Sequence, residues 1–584
     1  METIIAHSNA EVQAGLACVE EAAANGLRAA VMLAYEAAPA FDPAFRVHDP
    51  GDFPLLWAAI YEDESAKGAP AAGPYTLGEW SRAVSQEEHA RAVGAVREYI
   101  RQGETYQVNY TMPFTSPFEG DCSAWYADVA SRAGVGYPAY LDMGRHAVLC
   151  FSPELFFRRS GSVLDVRPMK GTMARGRWTE EDETRRAELA ACPKNRAENV
   201  MIVDLLRNDL GRIAEPGSVR PHRLHNIEQY PTVFQMTSSV DARLRDGVGL
   251  PEIMTALFPC GSVTGAPKVR TMEIIRELEA GPRLAYCGAM GLVGPGRAAT
   301  FCVPIRTVVV DKEAGQARFC AGGGIVWDSA EDDEHEECLE KMRFLRESPP
   351  EFDLLETMLY EQRGGQGAWF LLDGHLARLE ASARHFGFPY DGQAVQDALA
   401  TAVSGCAEGF HKVRLLASDT GGVRVEIARL AEDSVGPPAM REATPPDAAT
   451  CRTVRIAFAD EPELRVSSAD PFLCHKTTNR GVYSRALEAW PDCDDVVLAN
   501  ERGEVTEACQ ANVVARIKGE LVTPPRESGL LNGVFRQYLL DAGSVVERPL
   551  TLADLAAADE VWLVNSVRGW QLVKEGVGGS SGDI

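Results

Sequence analysis

The chain has 584 residues, too many for one hydrophobic core at roughly 100–200 residues per domain, so two or more globular units are expected. With 45% hydrophobic, 24% charged and 8% aromatic residues it sits at the globular average, which excludes a disordered, collagenous or membrane-spanning chain. A net charge of −26 without a basic run excludes nucleic acid and anionic membranes as partners. The first residues lack a charged segment followed by an apolar one, so a cytoplasmic protein is expected. The 14 cysteines are scattered with no CxxC pair, and read as reduced core thiols.

In chain order, FRVHD reads as a strand, EEHARAVGAVREYIRQG as a helix and AVLCFSPELFFRR as strand again. NRAENVMIVDLLRNDLGRI and APKVRTMEIIRELEAG are helical and end near glycine. AYCGAMGLVG, ATFCVPIRTVVVD and QARFCAGGGIVWDS, separated by GPGRA and KEAGQ turns, predict an antiparallel meander. Tandem prolines after an acidic segment mark a linker at 346–352, between a domain at 1–345 and another at 353–584. Beyond it, GHLARLEASARHFG and TNRGVYSRALEAW are amphipathic helices, and DDVVLANERGEVTEACQANVVARIKGELVTPP alternates β-rich runs with turns. A Pro- and Ala-rich break at 432–450 joins two lobes of this second domain. Both halves are α+β, and neither contains an internal repeat.

Several residues in the first half suggest chemistry. Glu198 precedes the apolar run VMIV, and Glu334, Glu337 and Lys341 share one helix face by i, i+3, i+7 spacing. Mg²⁺ takes a few carboxylates with waters and substrate oxygens, which suits Glu198 and Glu337 on separate helices; taken alone, each reads first as a solvated surface charge, and spacing does not overturn that. Lys170 sits in the Pro/Gly-bounded RPMKGT loop and Glu154 in FSPELFF, a pair suited to nucleophile and general acid once the lysine is desolvated. GSVTGAPK at 261–268, which includes Thr264, lacks the GxxxxGK[ST] order and fits an anion-binding turn. Gly322, Gly323 and Gly324 form a second such turn, where backbone N–H groups can approach a carboxylate.

Together, IRQGETYQVNYT, FSPELFF, RPMKGT, RAENVMIVDLLRNDLGR, GSVTGAPKVRTMEII, YCGAMG, IRT, AGGGIVWDS and EECLEK resemble the chorismate-utilising enzymes over roughly residues 1–345. The resemblance implies a fold of antiparallel sheets with covering helices. Lys170 is similar to the lysine of the aminodeoxychorismate synthase component I branch, where anthranilate synthases carry alanine. Gln107 stands where the water-adding isochorismate enzymes carry lysine. The same resemblance implies that Glu198, Glu337 and Glu334 hold Mg²⁺, that Glu154 is the acid for the departing ring hydroxyl, and that Lys170 adds to the ring before ammonia replaces it. Arg306 and Gly322–Gly324 are implied as carboxylate binders, with Gln107 and Thr264 also contacting substrate. Gln235 departs from the family, many of whose members carry histidine there.

In the second half, CHKTTNR presents Lys476 at the opening of a helix, Glu507 lies in a strand, and Gly533-Val534-Phe535 begins a helix whose free N–H groups favour phosphate. LLETMLYE, FLLDGHLARLEASARHFGFP, HKTTNRGVYSRA, NERGEVTEACQANVV, GLLNGVFRQ and VWLVNSVRG resemble the class IV pyridoxal-phosphate enzymes over about 351–575, with KTTNR and NSVRG most like aminodeoxychorismate lyase. The implied fold is the fold-type IV domain of two α/β lobes. Lys476 is then the Schiff-base lysine, Glu507 the partner of the pyridine nitrogen, and Arg378, Val534, Phe535 and Ser566 the phosphate grip. Ala508 and Ala511 replace the small Gly or Ser residues that relatives often carry after that glutamate.

The two resemblances imply consecutive steps, from chorismate and ammonia to 4-amino-4-deoxychorismate and then to 4-aminobenzoate for folate, with Mg²⁺ and pyridoxal 5'-phosphate as cofactors. No cysteine lies in a GxCxG-like elbow, so ammonia is expected from ammonium or from a separate glutamine amidotransferase subunit. A homodimer through the second domain belongs to the same expectation. The alternative keeps the first domain and makes the second an amino-acid aminotransferase.

Overall fold

A computed structural model describes residues 2–62, 73–133, 136–346, 350–435, 438–459 and 461–578. Residues 347–349 of the expected linker and 436–437 of the expected break lie outside them. The chain divides into two compact units, Met1–Ala174 with Arg186–Pro349, and Arg175–Arg185 with Pro350–Ile584. A single cut at 346–352 therefore misassigns Arg175–Arg185, which belong to the second unit.

The first unit is built on a ten-stranded and an eight-stranded sheet. Two of its helices start at local sequence signals. Ser85 and Glu88 form a reciprocal capping box ahead of Gln86–Arg101, and Pro193 opens Pro193–Gly211, where its missing N–H costs nothing. Two expectations fail. FRVHD is irregular, since residues 45–49 have no partner strand even though Phe45 is buried. The meander is also divided between sheets: Ala289–Val293 pairs with Ala299–Cys302 in the larger, and Thr307–Asp311 with Gln316–Ile325 in the smaller. The crossing falls at Val303–Arg306, where Arg306 takes a left-handed φ of 50°.

The second unit has the two lobes the sequence suggests. One is a four-stranded antiparallel sheet around Leu354–Arg363 and Gly409–Ala417, covered by helices Leu372–Phe386 and Gly392–Val403. The other is an eight-stranded mixed sheet, in which Thr453–Ala459 runs parallel to both neighbours. All 14 cysteines are free and most are buried, as core thiols are. Among the described residues no helix is long and apolar enough to cross a membrane.

Candidate active sites

Lys170 lies on the strand Met169–Ala174, whose pairing with Val233–Arg243 slips between Met169 and Thr172. Such a bulge re-aims the side chains it carries, and Gly171 supplies the left-handed φ of 97°. Gln235 braces the bulge from the facing strand: its Oε1 accepts from Thr172 Oγ1 at 2.8 Å, and its Nε2 donates to the Gly171 carbonyl at 3.0 Å. The residue that departs from the family thus supports the lysine strand.

Glu154 is buried between the strands His146–Ser152 and Leu155–Ser160. Ser262 Oγ donates to its Oε1 at 2.7 Å, a contact across 108 residues that no local pattern signals. Burial pushes the Glu154 carboxyl up to about 7, against the Ser262 hydrogen bond and the charge of Lys170. Burial also lowers Lys170, opposed first by Glu154 and then by Glu198. The pair therefore offers a proton donor and an amine that loses its proton more readily than a surface lysine.

Glu198 on Pro193–Gly211 and Glu334 on Glu331–Glu340 are both half-buried and raised, by burial first, and the charge of Glu337 adds to each. Ser329 Oγ donates to Glu334 Oε1 at 2.6 Å, while Lys341 Nζ donates to Glu337 Oε1 at 2.5 Å and to the Gly322 carbonyl at 2.7 Å. Hard oxygens under mutual repulsion fit a Mg²⁺ ion, which would relieve that repulsion and take its remaining ligands from water and substrate. The three do not form a closed cage. Among the described residues, the ligand atoms drawn within 4.8 Å of one another are those of Asp165, His222 and Asp241, a group the sequence did not single out.

The glycines serve differently from the expectation. Gly322, Gly323 and Gly324 are not a turn: they lie inside the strand Gln316–Ile325, opposite Thr111, Tyr110 and Asn109. Gly322 must be small because a Cβ there would stand 2.1 Å from the Tyr110 carbonyl oxygen, while a Cβ on Gly323 would stand 2.8 Å from Glu334 Oε2, and one on Gly324 would stand 2.3 Å from Gln107 Nε2 and 3.3 Å from Lys170 Nζ. The Gln107 amide is buried with neither atom partnered among the described residues, as expected of a group whose partner is a ligand. In GSVTGAPK, Thr264 spends its hydroxyl on the Cys260 carbonyl at 3.0 Å, and Lys268 Nζ is tied to Asp209 at 3.0 Å. Arg306 is lowered by burial and forms no ion pair among the described residues, which leaves a desolvated guanidinium for an anion.

In the second unit, Lys476 does not open a helix. It lies in an extended segment between Pro471–Cys474 and Gly481–Ala489, where Leu355 N–H donates to its carbonyl at 2.9 Å. Burial lowers Lys476 to about 8, helped by Arg378 and Arg480 and opposed by Glu356 and Glu507. Glu507 on Val505–Ala508 accepts from Tyr483 Oη at 2.7 Å, Leu531 N–H at 3.2 Å and Asn512 Nδ2 at 3.3 Å, yet burial still holds it at about 7. Ala508 and Ala511, both buried, close the turn beyond it through the 2.8 Å bond from Ala508 N–H to the Ala511 carbonyl.

The helix Val534–Asp541 starts at Gly533 without a side-chain cap, so the N–H groups of Val534 and Phe535 are open to an anion. A Cβ on Gly533 would strike Asn512 Oδ1 at 2.0 Å. Arg378 Nη1 donates to the Asn532 carbonyl at 3.1 Å in the turn before that helix. Ser566 is buried in the turn after Glu560–Asn565, held by Asn565 Oδ1 accepting from Val567 and Arg568 N–H at 3.1 and 2.9 Å. A desolvated lysine, a protonatable buried carboxyl and an uncapped helix start beside an arginine fit pyridoxal phosphate.

Residues 64–347 match the family of chorismate binding enzymes, and residues 353–575 match class IV amino-transferases. Aminodeoxychorismate synthase component 1 of Klebsiella aerogenes is 41% identical over 288 residues, 47% of this chain and 61% of that protein. The Bacillus subtilis protein of the same name is 38% identical over 268 residues, 46% of this chain and 57% of its own length. The chain thus spans about three-fifths of these curated relatives. The crystal structure of anthranilate synthase component I from Streptococcus pneumoniae aligns with a TM-score of 0.51 at 23% identity, over 57% of this chain and 85% of that one, a likeness of fold.

Proposed function

We propose, for a chain that belongs to the chorismate-binding enzymes through its first half and to the class IV aminotransferases through its second, two consecutive reactions. The first unit aminates chorismate to 4-amino-4-deoxychorismate, and the second eliminates pyruvate to leave 4-aminobenzoate. The observation that carries the reading is the pairing, in each unit, of a desolvated lysine with a buried glutamic acid held at about 7.

In the first unit, Glu154 gives its proton to the departing ring hydroxyl, which leaves as water, and the unprotonated Lys170 amine bonds to the ring. Ammonia then displaces Lys170 to give the amine product. Arg306 and the Gln107 amide hold the substrate's polar groups. Glu198, Glu334 and Glu337 would hold a Mg²⁺ ion that neutralises the substrate carboxylate.

In the second unit, bound pyridoxal phosphate would supply an electron sink. Glu507 would pair with its ring nitrogen, and Arg378, Val534, Phe535 and Ser566 would hold its phosphate. Lys476, at about 8, takes the proton from the ring carbon bearing the amine as pyruvate leaves. The nitrogen comes from free ammonia or from a separate amidotransferase subunit, since no cysteine of the chain sits in a glutaminase-type elbow.

The test supplies purified chain with chorismate, Mg²⁺ and pyridoxal phosphate, plus either an ammonium salt or glutamine, with products read by mass. 4-Aminobenzoate and pyruvate should form with ammonium and not with glutamine alone. Transfer of an amino group to 2-oxoglutarate without 4-aminobenzoate would replace the lyase reading with that of an amino-acid aminotransferase.

A further inference from the structure

Glu356 stands on the strand Leu354–Arg363, inside the LLETMLYE motif but given no role there, and its carboxylate is 2% exposed. Both oxygens are engaged. Arg378 donates from Nε to Oε1 at 2.8 Å and from Nη2 to Oε2 at 2.7 Å, and His375 Nδ1 donates to Oε2 at 2.6 Å. The same strand is tied to the lysine segment, because Leu355 N–H donates to the Lys476 carbonyl and Leu354 bridges to Thr477. Gly374, on the helix that carries His375 and Arg378, leaves no room for a Cβ, which would meet Val534 Cγ1 at 2.7 Å. One carboxylate therefore fixes two side chains of helix Leu372–Phe386 from a strand bonded to the backbone of Lys476.

We propose that Glu356 is a positioning residue of the second site: it aims Arg378 at the phosphate place and balances the cations that act on Lys476. This rests on the reading of the second unit as a pyridoxal-phosphate site. Three features support it. A bidentate arginine–carboxylate pair fixes the plane of the guanidinium, so the remaining Arg378 N–H groups point in set directions, one of them to Asn532 just before the Val534–Asp541 helix. The charged groups bearing on Lys476 are Arg378, Arg480, Glu356 and Glu507, so without Glu356 two arginines face one carboxylate that is itself held near 7. His375, whose ring is lowered by burial, keeps its Nδ1 proton on Glu356 and leaves Nε2 buried with no partner among the described residues. An atom in that condition completes its hydrogen bonding with ligand or trapped water.

The test uses the full chain with Glu356→Gln, which keeps the shape and removes the charge, and Glu356→Asp as the conservative variant. Circular dichroism and thermal melting show whether each is folded. Spectrophotometric titration with pyridoxal phosphate gives its affinity, and a pH series gives the midpoint at which the absorbance of the lysine-bound cofactor changes. Glu356→Gln should bind the cofactor about tenfold more weakly, because a charged hydrogen-bonded pair that orients its arginine is lost. Its midpoint should fall by about one pH unit, because removing a nearby negative charge disfavours the protonated form. Glu356→Asp should recover part of both. A folded Glu356→Gln protein with unchanged affinity and midpoint overturns the positioning role alone. An unmutated chain that acquires no lysine-bound absorbance overturns it together with the reading of the second unit.

Discussion

The two sites bury the same pair of groups in opposite fields. Lys170 and Lys476 are both lowered by desolvation, and Glu154 and Glu507 are both raised to about 7. Around Lys170 the other charges are Glu198, Glu337 and Lys341; around Lys476 they are Arg378, Arg480 and Glu356. The charges around the first lysine are mostly carboxylates, which suits a cation, and those around the second are mostly arginines, which suits an anionic group. Desolvation thus bears most on each lysine, and the surrounding charge sets what each pocket suits.

The largest expected effects separate the two lysines. Lys170→Ala should reduce chorismate consumption by about 10³-fold or more and leave the lyase active on supplied 4-amino-4-deoxychorismate. Lys476→Ala should do the reverse and accumulate that intermediate. Chromatography of the products distinguishes them, and loss of both activities in either variant would break the comparison.

The acids come next. Glu154 must be protonated and Lys170 unprotonated to act, and Glu154 sits at about 7, so at constant free ammonia the pH profile of the first reaction should change slope in a limb at about 7. Glu154→Gln should be slow and lack that limb. Holding free ammonia constant matters, because its unprotonated fraction rises with pH. A Glu154→Gln profile that keeps the limb at about 7 would remove Glu154 from the role.

Charge selection itself is tested by Glu198→Gln, which should raise the Mg²⁺ concentration for half-maximal amination by about tenfold and leave pyridoxal-phosphate affinity unchanged. An unaltered Mg²⁺ titration would take Glu198 out of the metal set. The smallest effect belongs to Gln235→Ala. It deletes two hydrogen bonds that brace the Lys170 bulge and should cost about 1 kcal/mol of local stability per bond, read as faster hydrogen exchange at Gly171 and Thr172.

These comparisons also mark where the sequence is legible. The helices carrying Glu198, Glu334 and Arg378 are readable because side-chain spacing, the Pro193 start and the Gly387 stop are local properties, and the motifs number both lysines and both glutamic acids. What the motifs miss depends on distant partners. FRVHD has the composition of a strand and no strand beside it, and the glycines at 322–324 read as a turn until Tyr110 and Gln107 are seen against them. Ser262 on Glu154 and Glu356 on Arg378 join residues far apart in sequence, so spacing could not reveal them. Lys476 lies in extended chain because its carbonyl is claimed by Leu355, whereas the local pattern suggests a helix start.

The second unit is also discontinuous along the chain, which enters it at Arg175, leaves after Arg185 and returns at Pro350. Arg177 Nη1 donates to the Ser468 carbonyl at 2.9 Å and to that of Glu527 at 3.2 Å, and Arg175 Nη2 donates to the His385 carbonyl at 2.9 Å. No single scission yields both units whole. A fragment begun at Pro350 exposes those three carbonyls and the Arg526 guanidinium, which loses the Trp178 ring it stacks on at 4.6 Å. Separate expression of the halves therefore requires the eleven-residue piece to be supplied again as a peptide or grafted by permutation.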